Sequence, residues 1–399
     1  MWRRGFSSSA GCSNALKEKK WDALVIGAGH NGLTAGAYLA RAGLSVAVLE
    51  RRHIIGGAAV TEEIIPGFKF SRCSYLQSLL RPSVIKELEL ARHGLKLLKR
   101  NPSSFTPCVD GRYLLLGPDK DLNYSEISKF SKRDADAYLR YENQLENFCK
   151  LMDPLLDSPP PETMQGLSSF NDRIKNNVRK SVFWLIVCVW HSHRDKRFGV
   201  RDFMDLLLAP ASKVLNNWFE TDVLKATLAT DAVIGSTGSV HTPGSGYVLL
   251  HHVMGETDGD RGIATLHVQN CTEENGVVNY DDKCRKFLLG EQVYLRDDIP
   301  CRYVEGGMGS VSLAISKAAK EAGAHVVTSA EVSQLMIEDS GRVNGVLLAD
   351  GTRVHSSVVL SNATPYKTFM EFVPENVLPD DFLRAIKYSD YSSVSSLAE

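Results

Sequence analysis

The residues best suited to chemistry come early. Gly27-Ala28-Gly29-His30-Asn31-Gly32 is a GxGxxG loop, and Glu50 lies eighteen residues beyond Gly32. Glycines at this spacing can cradle a pyrophosphate. Gly27 permits a tight turn, Gly29 admits the phosphates without a Cβ in the way, and Gly32 lets helix and strand touch. A helix opening at the loop, with Ala28 and Asn31 part of its backbone rim, offers free N–H groups and a positive dipole end. Glu50 is spaced to accept hydrogen bonds from ribose hydroxyls. The set specifies a dinucleotide site.

Such a loop works only when regular elements hold it. Asp22–Ile26 is a short apolar run of the kind that forms a fully buried strand, and a helical stretch follows to Ala40. Leu44–Leu49 is a second strand ending at Glu50. Strand, glycine turn, helix and strand within about thirty residues make one βαβ unit. Residues 104–116 predict a hairpin around Asp110-Gly111, and residues 123–157 and 167–234 are mostly helical in period. From Val304 the α/β pattern returns. Gly306-Gly307-Met308-Gly309 leads into a helix over 310–321, then strands at His325–Thr328, Val332–Ile337, Val343–Leu348 and Val354–Leu360. Asp339-Ser340-Gly341 and Asp350-Gly351 supply the turns between the last three.

The composition narrows the function. Of 399 residues, 46 are basic and 47 acidic, for a net charge of −1, which argues against a nucleic-acid footprint. Eight cysteines, at 12, 73, 108, 149, 188, 271, 284 and 301, include no CxxC pair, so neither a redox disulfide nor a zinc knuckle is expected. The longest apolar run, Ser181–Trp190, is about half of what a helix needs to span a bilayer and reads as a buried helix. The first twenty residues carry Arg3, Arg4 and three successive serines before the first acid, Glu18, the pattern of a mitochondrial transit peptide.

Beyond Glu50, Arg51-Arg52-His53-Ile54-Ile55-Gly56-Gly57 resembles the extended signature of the two-dinucleotide-binding-domain flavoproteins. That resemblance implies FAD, with Gly56 and Gly57 laying backbone against its phosphates and Arg52 along its adenosine. The carboxyl-terminal third, from Gly306 through Asp350-Gly351 to Ser361-Asn362-Ala363-Thr364-Pro365, is similar to the phytoene desaturases and related carotenoid and retinoid oxidoreductases. It implies that the strand at Val332 offers backbone to the adenine, that Gly307 lies toward the substrate side, and that residues 361–365 return to the nucleotide. Ala58 stands where many amine oxidases and desaturases carry arginine. Family members continue past the point matching Glu399 into a motif that contacts the flavin ring, so this chain is expected to lack that part.

The other candidates have bland alternatives. His30 faces either the phosphates or solvent. His241, His251 and His252 resemble a cleft lining, but adjacent histidines point different ways and make no metal face. Asp231 is either a desolvated proton carrier or, slightly favoured, a helix cap. No residue emerges as the catalytic acid or base.

The expectation is an α/β flavoprotein. A Rossmann-type FAD domain (21–75 and 303–375) is interrupted by a mainly helical substrate or cap domain (76–255). A transit-like tail covers 1–20, a polar, poorly ordered insertion 256–302, and the start of a further region 376–399. The expected activity is FAD-dependent oxidation of a small apolar substrate in the mitochondrial matrix, in contact with an inner-membrane-associated protein. The alternative is a flavin-binding or apo scaffold acting through protein contacts, or an inactive short form.

Overall fold

The computed structural model describes residues 16–156, 200–261 and 302–389, apart from 18, 75, 78, 100, 101, 258, 259, 375 and 376. The expected transit segment up to residue 15, the Ser181–Trp190 helix and most of the expected insertion at 256–302 lie outside the described residues. The chain forms two compact units, one of residues up to Leu98 with those from Tyr303 onward, the other from Lys99 through the middle of the chain.

The first unit is built on strand β1 (Trp21–Ile26), helix α1 (His30–Arg41) and strand β2 (Val46–Leu49). A hairpin of β3 (Thr61–Ile65) and β4 (Phe68–Ser71) follows. Helix α2 (Gly309–Glu321) leads to β5 (His325–Val327), β6 (Val332–Ile337), β7 (Val343–Leu348) and β8 (Arg353–Ser361). The strands run in the order β5-β2-β1-β8-β7-β6. The pairs β5·β2, β2·β1 and β1·β8 are parallel, whereas β6·β7 and β7·β8 are antiparallel. Strand β8 belongs to both parts: residues 353–355 pair with the meander and residues 356–361 with β1.

Side-chain alternation places this sheet between two layers. Ala23, Val25, Val46 and Val48 enter one core with Leu33 and Ala37 of α1 and Val311 and Ile315 of α2. Their neighbours Leu24, Ile26, Ala47 and Leu49 enter a second core with the meander's Val346 and Val354. Central strands buried on both faces read as continuous apolar runs, as β1 and β2 do. Gly36 permits the close seat of α1, because a methyl there would stand 2.7 Å from Val48 Cγ2. The fold starts before β1. Leu16 is 2% exposed within the meander-side core, and its carbonyl accepts the Trp21 indole N–H at 3.2 Å.

The second unit is mainly helical. Among the described residues its helices are Lys120–Ser128, Lys132–Leu156, Val200–Leu208, Ala211–Trp218, Asp222–Ala229 and Ser245–Val253. The expected hairpin forms, with Ser104–Pro107 antiparallel to Tyr113–Leu116. Asp134 is fully buried and ties two elements together. Its carboxylate accepts the Glu220 N–H and Thr221 N–H, each at 2.9 Å, and the Thr221 hydroxyl at 2.5 Å, just before the helix beginning at Asp222. Gly246 lets its helix approach the Leu206 carbonyl, which a methyl would meet at 2.3 Å. No described helix is long and apolar enough to cross a membrane.

Candidate functional site: a glycine cradle at the end of the parallel sheet

The carboxyl ends of β1 and β8 lie side by side; the helix after β1 packs in one core, whereas Phe372, after β8, packs in the other. A crevice at such a switch point is where open α/β sheets receive ligands. The loop after β1 fills this position. Gly27 takes φ +93°, a left-handed turn that glycine tolerates, and its N–H bonds to the Leu49 carbonyl at 2.7 Å. A methyl on Gly32 would stand 2.1 Å from the Gly27 carbonyl oxygen, so the helix meets the turn only because Gly32 lacks one. The first bond along α1 runs from Leu33 N–H to the Gly29 carbonyl at 2.9 Å, leaving earlier amides without an intrahelical partner. The cap residue is Gly29, with no side-chain cap and no acid in the first turn. That leaves the positive end of the helix without an acidic side chain in its first turn to offset it.

The Gly56-Gly57 pair closes the cradle from the other side. Gly56 donates its N–H to the Ala28 carbonyl at 2.8 Å and forms a parallel bridge with Gly29. Its φ of +124° would bring a methyl within 2.3 Å of the Ala59 carbonyl. Glu50 is buried at the end of β2, with Ala28 N–H on Oε2 (2.9 Å) and Arg52 N–H on Oε1 (3.0 Å). A carboxylate offers about four acceptor positions, so capacity for two hydroxyl donors remains. Arg52 sends its guanidinium to Glu62 at 3.1 Å, and Arg72 reaches the same carboxylate at 3.0 Å. The Glu50 carbonyl receives the Ala330 N–H and the Arg52 carbonyl the Ser329 N–H, both at 2.8 Å. This stitching brings buried Val332, two residues on, to the same end of the fold. Gly27, Ala28, Gly29, Asn31, Gly32, Glu50, Arg52, Gly56, Gly57 and Val332 thus converge on one end of the first unit.

Burial holds the His30 imidazole below its ordinary pKa, so it adds no positive charge to the cradle at neutral pH. The second glycine motif does something different from the first. Gly307 and Gly309 lie against the β3–β4 hairpin, where Thr61 Oγ1 accepts the Gly309 N–H (2.9 Å) and Ser71 Oγ the Met308 N–H (3.0 Å). A methyl on Gly307 would meet Thr61 Oγ1 at 2.4 Å. Two hydroxyls therefore close this helix start. The Pro66-Gly67 turn between two β-prone runs is the sequence signal for the hairpin that supplies them.

The second unit holds the remaining candidates. Asp231 sits buried in the 3₁₀ turn Thr230–Ala232 and caps neither flanking helix, whose caps are Thr221 and Gly244. Burial pushes the Tyr138 and Tyr141 phenols up; Asp231 adds to this next at Tyr141, whereas at Tyr138 Glu142 adds more than Asp231 does. Burial also raises the Glu142 carboxyl to about 6, against the opposing effects of Tyr138 and Lys120. His251 is held low by burial and by neighbouring His252, whose ring bonds to the Val248 carbonyl at 2.9 Å. His241 Nδ1 lies 3.0 Å from Ser212 Oγ at the surface. Among the described residues no group of three histidine, cysteine or acidic side chains could hold a metal ion. Cys149 is buried and Cys73 is exposed.

Residues 25–83 match the NAD(P)-binding Rossmann-like domain, and residues 189–398, just over half the chain, match the flavin containing amine oxidoreductases. The chain belongs to the flavin containing amine oxidoreductase family. This family of flavoprotein oxidoreductases includes relatives of several kinds. The chain is 43% identical over 410 aligned positions to pyridine nucleotide-disulfide oxidoreductase domain-containing protein 2 of Rattus norvegicus, covering 98% of this chain and 61% of that protein. It thus spans about three-fifths of that relative's length. One of the limonene dehydrogenase polypeptides of Castellaniella defragrans is 40% identical over 135 residues, 33% of this chain and 24% of that polypeptide. In fold, the chain is similar to a crystal structure from Pyrococcus furiosus, with a TM-score of 0.51 and 15% identity over 93% of this chain and 66% of that one.

Proposed function

We propose that this chain binds FAD in the glycine cradle and that the protein is an FAD-dependent oxidoreductase of the mitochondrial matrix with a small apolar substrate. The cradle at Gly29 carries the reading. Its missing side chain, the backbone of Gly57 beside it and the open amides of α1 suit a diphosphate, and the remaining acceptor capacity of Glu50 suits a ribose. Gly27, Ala28, Gly29, Asn31, Gly32, Gly56 and Gly57 would hold the phosphates, Glu50 the ribose, and Arg52 with the backbone near Val332 the adenosine. When bound, FAD supplies hydride acceptance; the protein supplies binding, orientation and exclusion of competing reactions. An apolar substrate is supported by the relative named for limonene and by the resemblance to phytoene desaturases.

The test is a visible spectrum of the purified chain, with released cofactor identified by chromatography. About one FAD per chain is expected, lost in a folded Gly29→Asp variant. A folded, colourless chain that takes up no added FAD would overturn the reading. The matrix location is checked by fusing residues 1–20 to a reporter, and a reporter left in the cytosol would refute it.

A second reading, contact with an inner-membrane-associated partner, is favoured by the tip of the β3–β4 hairpin. There Ile64, Ile65 and Phe68 are exposed together beside Pro66 and Gly67. Cross-linking to one inner-membrane protein that survives Gly29→Asp and disappears in Ile65→Ser would support it; cross-linking indifferent to Ile65 would not.

A further inference from the structure

Asn362 is the first residue after β8, and its position is fixed by its own backbone. Its N–H bonds to the Ile26 carbonyl at 2.9 Å, continuing the β1·β8 ladder by one residue. Just before it, Ser361 Oγ lies 2.7 Å from Thr368 Oγ1, which anchors the turn that follows. The side chain lies over the glycine loop. A methyl on Gly29 would come within 3.1 Å of Asn362 Nδ2, one on Gly32 within 3.3 Å, and one on Gly27 within 3.6 Å of Asn362 Cβ. The residue is solvent-exposed, and its carboxamide hydrogen-bonds no other described residue.

An exposed, uncommitted amide above three glycines is not what packing alone would select. A carboxamide brings two N–H donors and no charge. An aspartate of the same shape would set a negative charge where the helix end and open amides are arranged for an anion. We propose that Asn362 is a phosphate-binding residue, its carboxamide donating to the diphosphate of a nucleotide held by the Gly27–Gly32 loop. The inference rests on the nucleotide reading above and extends it. The loop supplies donors from β1 and α1, and Asn362 supplies one from β8, on the other side of the crevice.

The experiment measures binding of ADP and of adenosine to the full chain stripped of cofactor, for the wild type and for Asn362→Asp and Asn362→Ala. The aspartate variant keeps the shape, and its fold is verified by circular dichroism. Expected are a loss of ADP affinity of roughly thirtyfold or more in Asn362→Asp and roughly three- to tenfold in Asn362→Ala, from a charge-assisted hydrogen bond removed or reversed. Adenosine, which lacks phosphate, should bind all three alike. Equal ADP affinity in wild type and Asn362→Asp would overturn the proposal while leaving the nucleotide reading intact. Equal losses for ADP and adenosine would overturn it too, since they would mark a structural role. A wild-type chain that binds neither ADP nor FAD overturns both readings.

Discussion

Gly57 reaches Gly29 so closely that a methyl on Gly57 would stand 3.1 Å from the Gly29 Cα. Two segments almost thirty residues apart thus share one wall through backbone, and Gly57 cannot gain a side chain without pressing on Gly29.

Gly56 should be the most costly glycine of that wall to replace. At φ +124°, with the Ala59 carbonyl oxygen 2.3 Å from where a methyl would sit, Gly56→Ala combines backbone strain with a backbone clash. The expected loss is about 3 kcal/mol or more, against about 1 kcal/mol for Gly67→Ala, whose φ is also positive but whose surroundings are open. Urea denaturation of both variants checks this, and equal losses would refute it.

Gly32 and Gly36 separate the turn from the helix. Gly32→Ala pushes on the Gly27 carbonyl and should remove ADP binding. Gly36→Ala pushes only on the Val48 side chain, so it should cost about 1–3 kcal/mol of stability with nucleotide affinity retained. Calorimetric titration beside thermal melts distinguishes the two. Strong ADP binding by a folded Gly32→Ala chain would contradict the role given to that contact.

Asp134 should matter to the second unit far more than its surface acids do. Removing a fully buried carboxylate that satisfies two backbone N–H groups and a hydroxyl leaves those donors unpaired. Asp134→Ala should therefore cost about 3 kcal/mol or more. Asp110, in an exposed pair with Arg112, should be replaceable by alanine without a change in the denaturation midpoint.

Glu142 gives the same unit a pH dependence. Its carboxyl rises on folding to about 6 from an ordinary 4.5. The folded chain therefore holds more protons than the unfolded one between those values, and stability falls as pH climbs through that window. Glu142→Gln should stabilise by about 1–2 kcal/mol at pH 8 and by almost nothing near pH 4. The same gain at both pH values would show that the effect is not protonation.

The βαβ unit and the meander were legible because buried strands and glycine turns leave local patterns: Asp22–Ile26, Leu44–Leu49 and the two turns at 339–341 and 350–351 point directly to what forms. The hairpin at 61–71 left only its Pro66-Gly67 turn as a signal, since Glu62, Glu63 and Lys69 interrupt the apolar alternation a half-buried strand would show. Asn362 was legible only as part of a returning strand; its place over the glycine loop depends on pairing across nearly the whole chain. The same holds for Thr61 and Ser71, ordinary hydroxyls until α2 is set against them. Asp231 misled because a polar residue between helices suggests a cap, while its actual setting is decided by Tyr138 and Tyr141 from a distant helix.

The pairing of Trp21 with Ser356 and of Ile26 with Ser361 also sets an order of events during synthesis. Strand β1 leaves the ribosome with β2, yet its other partner, β8, is made only after about three hundred further residues. At about 5–20 residues per second the interval is on the order of tens of seconds. Throughout it β1 can pair with β2 but presents an open, largely apolar edge on its other side. Such an edge attracts foreign strands. The nascent chain should therefore lean on chaperones until β8 arrives, and variants that slow its arrival should lower yield without touching the finished protein's stability.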